Sequence, residues 1–170
     1  IPSEAVRLYL ANITSSAFES WFLANPTLDI KDFKFEFKKM NKSGALFDVN
    51  KLMNISKTYI SHLKADDLYE RVSKYLKEYD TDFYNVFTKN STYSTNILNI
   101  EREQKKPRKD FSCYSEIKSH IWYMYNELFN NEQYDFQNIS DKGEICNLLN
   151  EYINNYYNED DDKDTWFNKL

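Results

Sequence analysis

Residues 102–110 read Arg-Glu-Gln-Lys-Lys-Pro-Arg-Lys-Asp, and up to residue 109 they hold five basic groups against one acid. Pro107 fixes its own φ and keeps Lys106 out of helical backbone, so the spacing predicts a connector of defined shape. From that support Arg108 projects a planar guanidinium with five donors, able to read a base edge or clamp a phosphate. From the residues alone, a solvated surface loop is the simpler account of the same pattern.

The other chemically capable residues are scattered. His62 and His120 stand 58 positions apart, neither in H-x-x-x-H nor in H-E-x-x-H, so each is expected to be structural or on the surface. Cys113 and Cys146 fit no C-x-x-C pattern, which leaves no disulfide framework or zinc site and points to a reducing cytosol. The acidic run 159–164 lacks the central Gly of a calcium loop and is expected to be a solvated hinge. With only Gly44 and Gly143 available, a Gly-rich phosphate loop and a dinucleotide fingerprint are excluded. No Ser/His/Asp or Cys/His group assembles from spacing. No catalytic residue, metal site or cofactor site is expected in this chain.

The elements that would carry the basic connector are helical. The 170 residues are 41% hydrophobic and 17% aromatic, enough for one core or two small ones. A chain of this size buries roughly 70% of its unfolded surface. Val6, Leu10, Ile13, Ala17 and Trp21 step by three or four and predict a helix over about 3–23, opened by Pro2-Ser3 and closed by Asn25-Pro26. Leu68, Val72, Tyr75/Leu76 and Tyr79 make a second stripe, with Asp66 and Asp67 at its dipole-favoured start. Ile117, Ile121, Met124 and Leu128 predict a third helix over about 112–129, and Ile145, Leu148/Leu149, Tyr152 and Tyr156 a fourth. Shorter helices are expected at 48–62, 81–89 and 92–101. The alternation Phe33–Phe37 is strand-like but too short to build a sheet. The fold class is therefore all-α, a helical bundle or helical cage.

The net charge of −5 argues at first sight against a nucleic-acid partner, but the charge is segregated. Residues 31–57 sum to +4, residues 102–109 to +4, and residues 127–164 to −9. The 19 Asn and 18 Lys against four Arg suggest an AT-rich genome. No apolar run approaches the ~18 residues that span a bilayer. A first residue of Ile, and a helix near Thr165-Trp166 cut at Leu170, suggest a piece excised from a longer protein.

Lys38-Lys39-Met40-Asn41-Lys42-Ser43-Gly44 invites comparison with the KMSKS loop of class I aminoacyl-tRNA synthetases. That loop needs a nucleotide-binding α/β domain beside it, so here it is taken as a lookalike. Read in order, the segments instead resemble the C-terminal half of bacterial glutamyl-tRNA synthetases, in their low-GC, clostridial-type form. Ile1-Pro-Ser-Glu-Ala-Val-Arg-Leu-Tyr-Leu10 is similar to the family's helix after the true KMSKS loop. Lys39-Met-Asn-Lys-Ser-Gly-Ala-Leu-Phe-Asp-Val-Asn-Lys-Leu52 resembles its second Lys-Ser-rich stretch, and Ser43–Leu52 is the most specific part. Met53-Asn54, Tyr59-Ile60-Ser61 and Leu68-Tyr-Glu-Arg-Val72 follow the family order. So do Pro107-Arg108-Lys109-Asp110 and Asp164-Thr165-Trp166. Lys64-Ala-Asp stands where the family usually has a helix cap, and Ile-Ser-Lys follows Asn54 where many members carry a Gly.

The resemblance implies a stem-contact helical region over 1–60, a first anticodon-binding subdomain over 61–160, and the start of a final subdomain at 161–170. The implied partner is glutamate-specific tRNA, bound by a cytoplasmic monomer with no DNA or membrane contact. ATP and Mg would belong to the parent enzyme, whose catalytic part lies upstream. Arg108, with Pro107, aligns with the arginine that reads the third anticodon base, cytosine in glutamate tRNAs and guanine in glutamine tRNAs. Lys105, Lys106, Lys109 and Arg102 would contact tRNA backbone, as would Lys42, Ser43, Lys51, Asn54 and Lys57. Two alternatives stay open: a helical protein–protein scaffold, and the same module from an enzyme that also charges glutamine tRNA.

Overall fold

Thr14-Ser15-Ser16 interrupts the first apolar run. Thr14 Oγ1 donates to the carbonyls of Leu10 and Ala11, each at 3.0 Å, while Ser15 turns extended (φ −147°, ψ 112°). Such side-chain bonds compete with helical ones, and Ser15 Oγ then accepts from Phe18 N–H at 3.2 Å to cap a new helix. The computed structural model, which describes residues 1–41, 44–133, 136 and 141–169, thus has two helices where one was expected: α1 (Ser3–Thr14) and α2 (Ser16–Ala24). The break resets the helical phase. Ala5, Leu8, Tyr9, Phe18 and Phe22 face inward, whereas Val6 and Leu10 of the expected stripe lie exposed.

The remaining helices of the first compact unit, residues 1–131, follow the predicted spacing more closely. They are α3 (Val49–Ser61), α4 (Ala65–Tyr79), α5 (Thr81–Lys89) and α6 (Ser91–Asn99), then the short α7 (Ile117–Ile121) and α8 (Asn126–Phe129). Asp48, Asp80 and Asn90 cap α3, α5 and α6 through their side-chain oxygens. Lys64 gives α4 no side-chain cap; the Ala65 N–H donates instead to Glu103 Oε1 at 3.2 Å. The helix expected over 112–129 is not continuous. Tyr125 is extended (φ −108°, ψ 115°) because its ring is buried edge-on against Phe83 and its hydroxyl donates to Ser94 Oγ at 2.9 Å. Among the described residues no strand forms at Phe33–Phe37; 3₁₀ turns occupy Ile30–Asp32 and Phe37–Lys39.

The first unit holds two apolar clusters. Leu8, Tyr9, Phe18, Phe22, Leu52 and Ile55 form one, and Leu68, Val72, Leu76, Phe83, Phe87, Leu98 and Ile117 anchor the other. Tyr59 packs against both. Each such side chain contributes about 1.5–3 kcal/mol when fully buried, against about 0–1 kcal/mol for an exposed ion pair, so the clusters hold the fold.

Where the clusters meet, Arg71 Nη1 on α4 donates to Glu4 Oε1 on α1 at 2.8 Å. Burial pushes the Glu4 carboxyl up, but the Arg71 bond and charge, with a backbone N–H and the Ser3 hydroxyl, together outweigh it and the pKa falls below its ordinary 4.5. Asp80, bonded by Lys118 Nζ at 2.7 Å, and Glu116, which accepts from Ser112 N–H, are likewise lowered against the pull of burial. Carboxylates with depressed folded-state pKa stabilise fully above their unfolded values and lose that contribution as acid protonates them. Thermal unfolding across a pH series is therefore expected to show Tm falling as pH drops below about 4.5, with no such loss between pH 5 and 7.

The second compact unit, residues 132–170, contains α9 (Lys142–Asn155) and α10 (Lys163–Asn168). Asp141 caps α9 through Gly143 N–H, and Asp162 caps α10 through Thr165 N–H, each at 2.7 Å. The unit carries ten acids and three lysines, a net −7, whereas residues 1–131 carry 17 acids and 19 Lys and Arg, a net +2.

Candidate nucleic-acid interface

The connector after α6 closes on itself. Glu101 adopts φ 53°, the one left-handed non-glycine among the described residues, at a cost of about 1–2 kcal/mol. Its carbonyl accepts from Arg108 N–H at 2.9 Å, which shuts the loop. Pro107 has no N–H to give, so the closing bond comes from the residue after it. Gln104 Nε2 donates across the interior to the carbonyls of Glu101 and Lys106, both at 3.1 Å.

Arg102 nails the loop to the core and departs from its expected role. Only 7% of it is exposed. Nε donates to the Leu98 carbonyl at 2.7 Å, and Nη1 to the Ile60 carbonyl at 2.6 Å and more weakly to Leu63 at 3.4 Å. The guanidinium thus binds the C-terminal ends of α6 and α3, where helix dipoles favour a cation. Its donors point inward, so it is a structural anchor and not a backbone contact for an external ligand.

Arg108 faces solvent. Its Nε donates to Asp110 Oδ1 at 2.6 Å, and Nη1 lies 3.7 Å from Glu101 Oε2. The Asp110 bond, reinforced by that residue's charge, raises the guanidinium pKa above its ordinary value and keeps it cationic. Lys105 and Lys106 are exposed, and neither forms an ion pair among the described residues. Lys109 turns toward α3, where Nζ donates to Thr58 Oγ1 at 2.9 Å.

That bond brings Lys109 into an open cleft of about 550 Å³ also lined by Lys51 and Asn54. Three expected contact residues from two distant stretches therefore share one site. Lys51 Nζ is paired with Glu19 at 2.7 Å, and Asn54 is exposed. Lys57 is half-buried on α3 and does not line the cleft. Lys42 and Ser43 lie outside the described residues. Thr58 and His62 line the cleft too and were not anticipated as site residues. Their signal was available, because Lys51, Asn54, Thr58 and His62 step by three, four and four along one face of α3. His62 Nδ1 lies 2.8 Å from the Thr58 carbonyl, an acceptor, which places the proton on Nδ1.

Relatives were found along the whole length of the chain. A glutamate–tRNA ligase of Clostridium perfringens is 39% identical over 171 residues, covering 99% of this chain. Ligases of the same name from Clostridium beijerinckii and Acetivibrio thermocellus are 38% and 36% identical over 99% and 98% of it. Over nearly its whole length the chain is similar to part of these glutamate–tRNA ligases. It spans about 31% of the length of the Clostridium perfringens relative, so the similarity is to a segment of such a protein. No family model and no solved structure matches the chain. Among the described residues, no three His, Cys, Asp or Glu side chains are grouped to hold a metal ion, and no helix is long and apolar enough to cross a membrane.

Proposed function

We propose that this chain is the C-terminal tRNA-recognition part of a glutamate–tRNA ligase, the enzyme that attaches glutamate to its tRNA using ATP and Mg. The observation that carries the proposal is the closed, core-anchored basic loop 101–109 presenting Arg108, in a chain matched end to end by ligases of that name. The amino-acid, ATP and Mg sites then lie in the remaining two thirds of the protein, and this segment alone is inactive. Residues 1–60 form a stem-contact region around the first apolar cluster. Residues 61–160 form the first anticodon-binding subdomain, and a final one begins at 161. The protein acts as a cytoplasmic monomer on glutamate-specific tRNA.

In this arrangement Lys105 and Lys106 neutralise phosphates near the anticodon, while Lys51, Asn54 and Lys109 engage backbone at the cleft. Each neutralised phosphate steepens the salt dependence of binding by about 0.7–0.9 in log Kd per log salt. Replacing both Lys105 and Lys106 by Ala in the full-length ligase is expected to weaken tRNA binding and to lower that slope by about 1–2. Filter binding across a salt series checks it; an unchanged slope contradicts the assignment.

A further inference from the structure

Arg108 is not a freely rotating side chain. Asp110, two residues on, takes its Nε at 2.6 Å, and Glu101 stands on the other side with its carboxylate 3.7 Å from Nη1. The backbone makes the same pairing, because Arg108 N–H donates to the Glu101 carbonyl at 2.9 Å. Glu101 holds the left-handed conformation from which both its carbonyl and its carboxylate meet Arg108, and a strained non-glycine residue persists only where its surroundings fix it. Asp110 is itself only partly exposed, at the entrance to the buried Phe111-Ser112 segment.

We infer that Asp110 and Glu101 are positioning residues that set which edge of the Arg108 guanidinium is presented to RNA. This rests on the expectation, implied by the family resemblance, that Arg108 reads the third anticodon base. With Nε held by Asp110 and Nη1 3.7 Å from Glu101, beyond hydrogen-bond reach, the Nη1–Nη2 edge is the one left to donate two parallel hydrogens to an incoming base. The two carboxylates restrict the guanidinium to one orientation before RNA arrives, so ordering it costs little on binding. They also place negative charge beside the reading head. Overall affinity for the phosphate chain is thereby lowered while selectivity is raised.

The test uses full-length ligase and two versions of glutamate tRNA differing only in the third anticodon base, C or G. Asp110→Asn is expected to reduce the Kd ratio between them about tenfold. It should leave binding of the G form unchanged or tighter, because one negative charge is lost near phosphate. Glu101→Gln is expected to reduce the ratio by a smaller factor. A structural role for Asp110 would instead weaken both tRNAs together, and that outcome overturns the inference. An unchanged ratio for Asp110→Asn, while Arg108→Gln lowers it, overturns positioning alone. An unchanged ratio for Arg108→Gln overturns both the inference and the reading beneath it.

Discussion

Replacing Arg102 by Met is expected to destabilise the protein by about 3 kcal/mol, a fall of about 6–12 °C in Tm. Met fills much of the same volume and removes the desolvation cost of a buried cation. It leaves behind, however, the carbonyls of Leu98 and Ile60, which now accept from Arg102 at 2.7 and 2.6 Å. Both lie in the last turns of helices; the Leu98 carbonyl loses its partner there, while the Ile60 carbonyl keeps the Leu63 N–H at 3.2 Å. The guanidinium also stands 5.9 Å from the centre of the Phe111 ring, so the loss extends to the segment after the loop. Arg102→Lys keeps the charge but carries one ammonium in place of a forked head, so it is expected to recover only part of the loss. Denaturant unfolding measures the effect. Hydrogen exchange at Arg108 N–H should rise with it, because the loop closure depends on the same anchor. A change in stability within about 0.5 kcal/mol of zero would show that Arg102 does not hold the loop.

Helices with clean periodicity could be read from the sequence. Leu68, Val72 and Leu76 are buried in α4, and the boundaries of α3, α5 and α6 lie within two residues of those expected. The failures share a cause. Ser15, Tyr125 and Arg102 each follow a local rule until a bond overrides it: Ser15 through its own cap, Tyr125 through Ser94, Arg102 through Ile60. The last two partners are 31 and 42 residues distant, beyond any local pattern. The loop shows the same divide. Pro107 and the basic run marked Arg108 as a presented residue, and the structure shows it exposed. Nothing local showed that Arg102 turns inward, or that Lys109 crosses to Thr58, 51 residues away. The net charge of −5 was misleading as a sum, because the basic excess belongs to residues 1–131 and the acidic excess to 132–170.

Loss of anticodon selectivity is the second large effect expected, and it comes from Arg108→Gln. A guanidinium donates two hydrogen bonds to the acceptors on a cytosine edge and meets donors on a guanine edge. A good bidentate contact of this kind discriminates by about 1–3 kcal/mol, or about 5–150-fold. Gln keeps a donor but adds an acceptor, lacks the charge, and cannot bond the Asp110 carboxylate as an ion pair. The cytosine preference should therefore collapse, while phosphate contacts from Lys105, Lys106 and Lys109 persist. Folding should be unaffected, since the Arg108 side chain is 53% exposed. The decisive measurement is the ratio of dissociation constants for glutamate tRNA carrying C or G as the third anticodon base, taken on the unaltered full-length ligase and on its Arg108→Gln variant. A ratio that falls toward one through weaker binding of the C form is the predicted result; a preference that survives Arg108→Gln undiminished would contradict it.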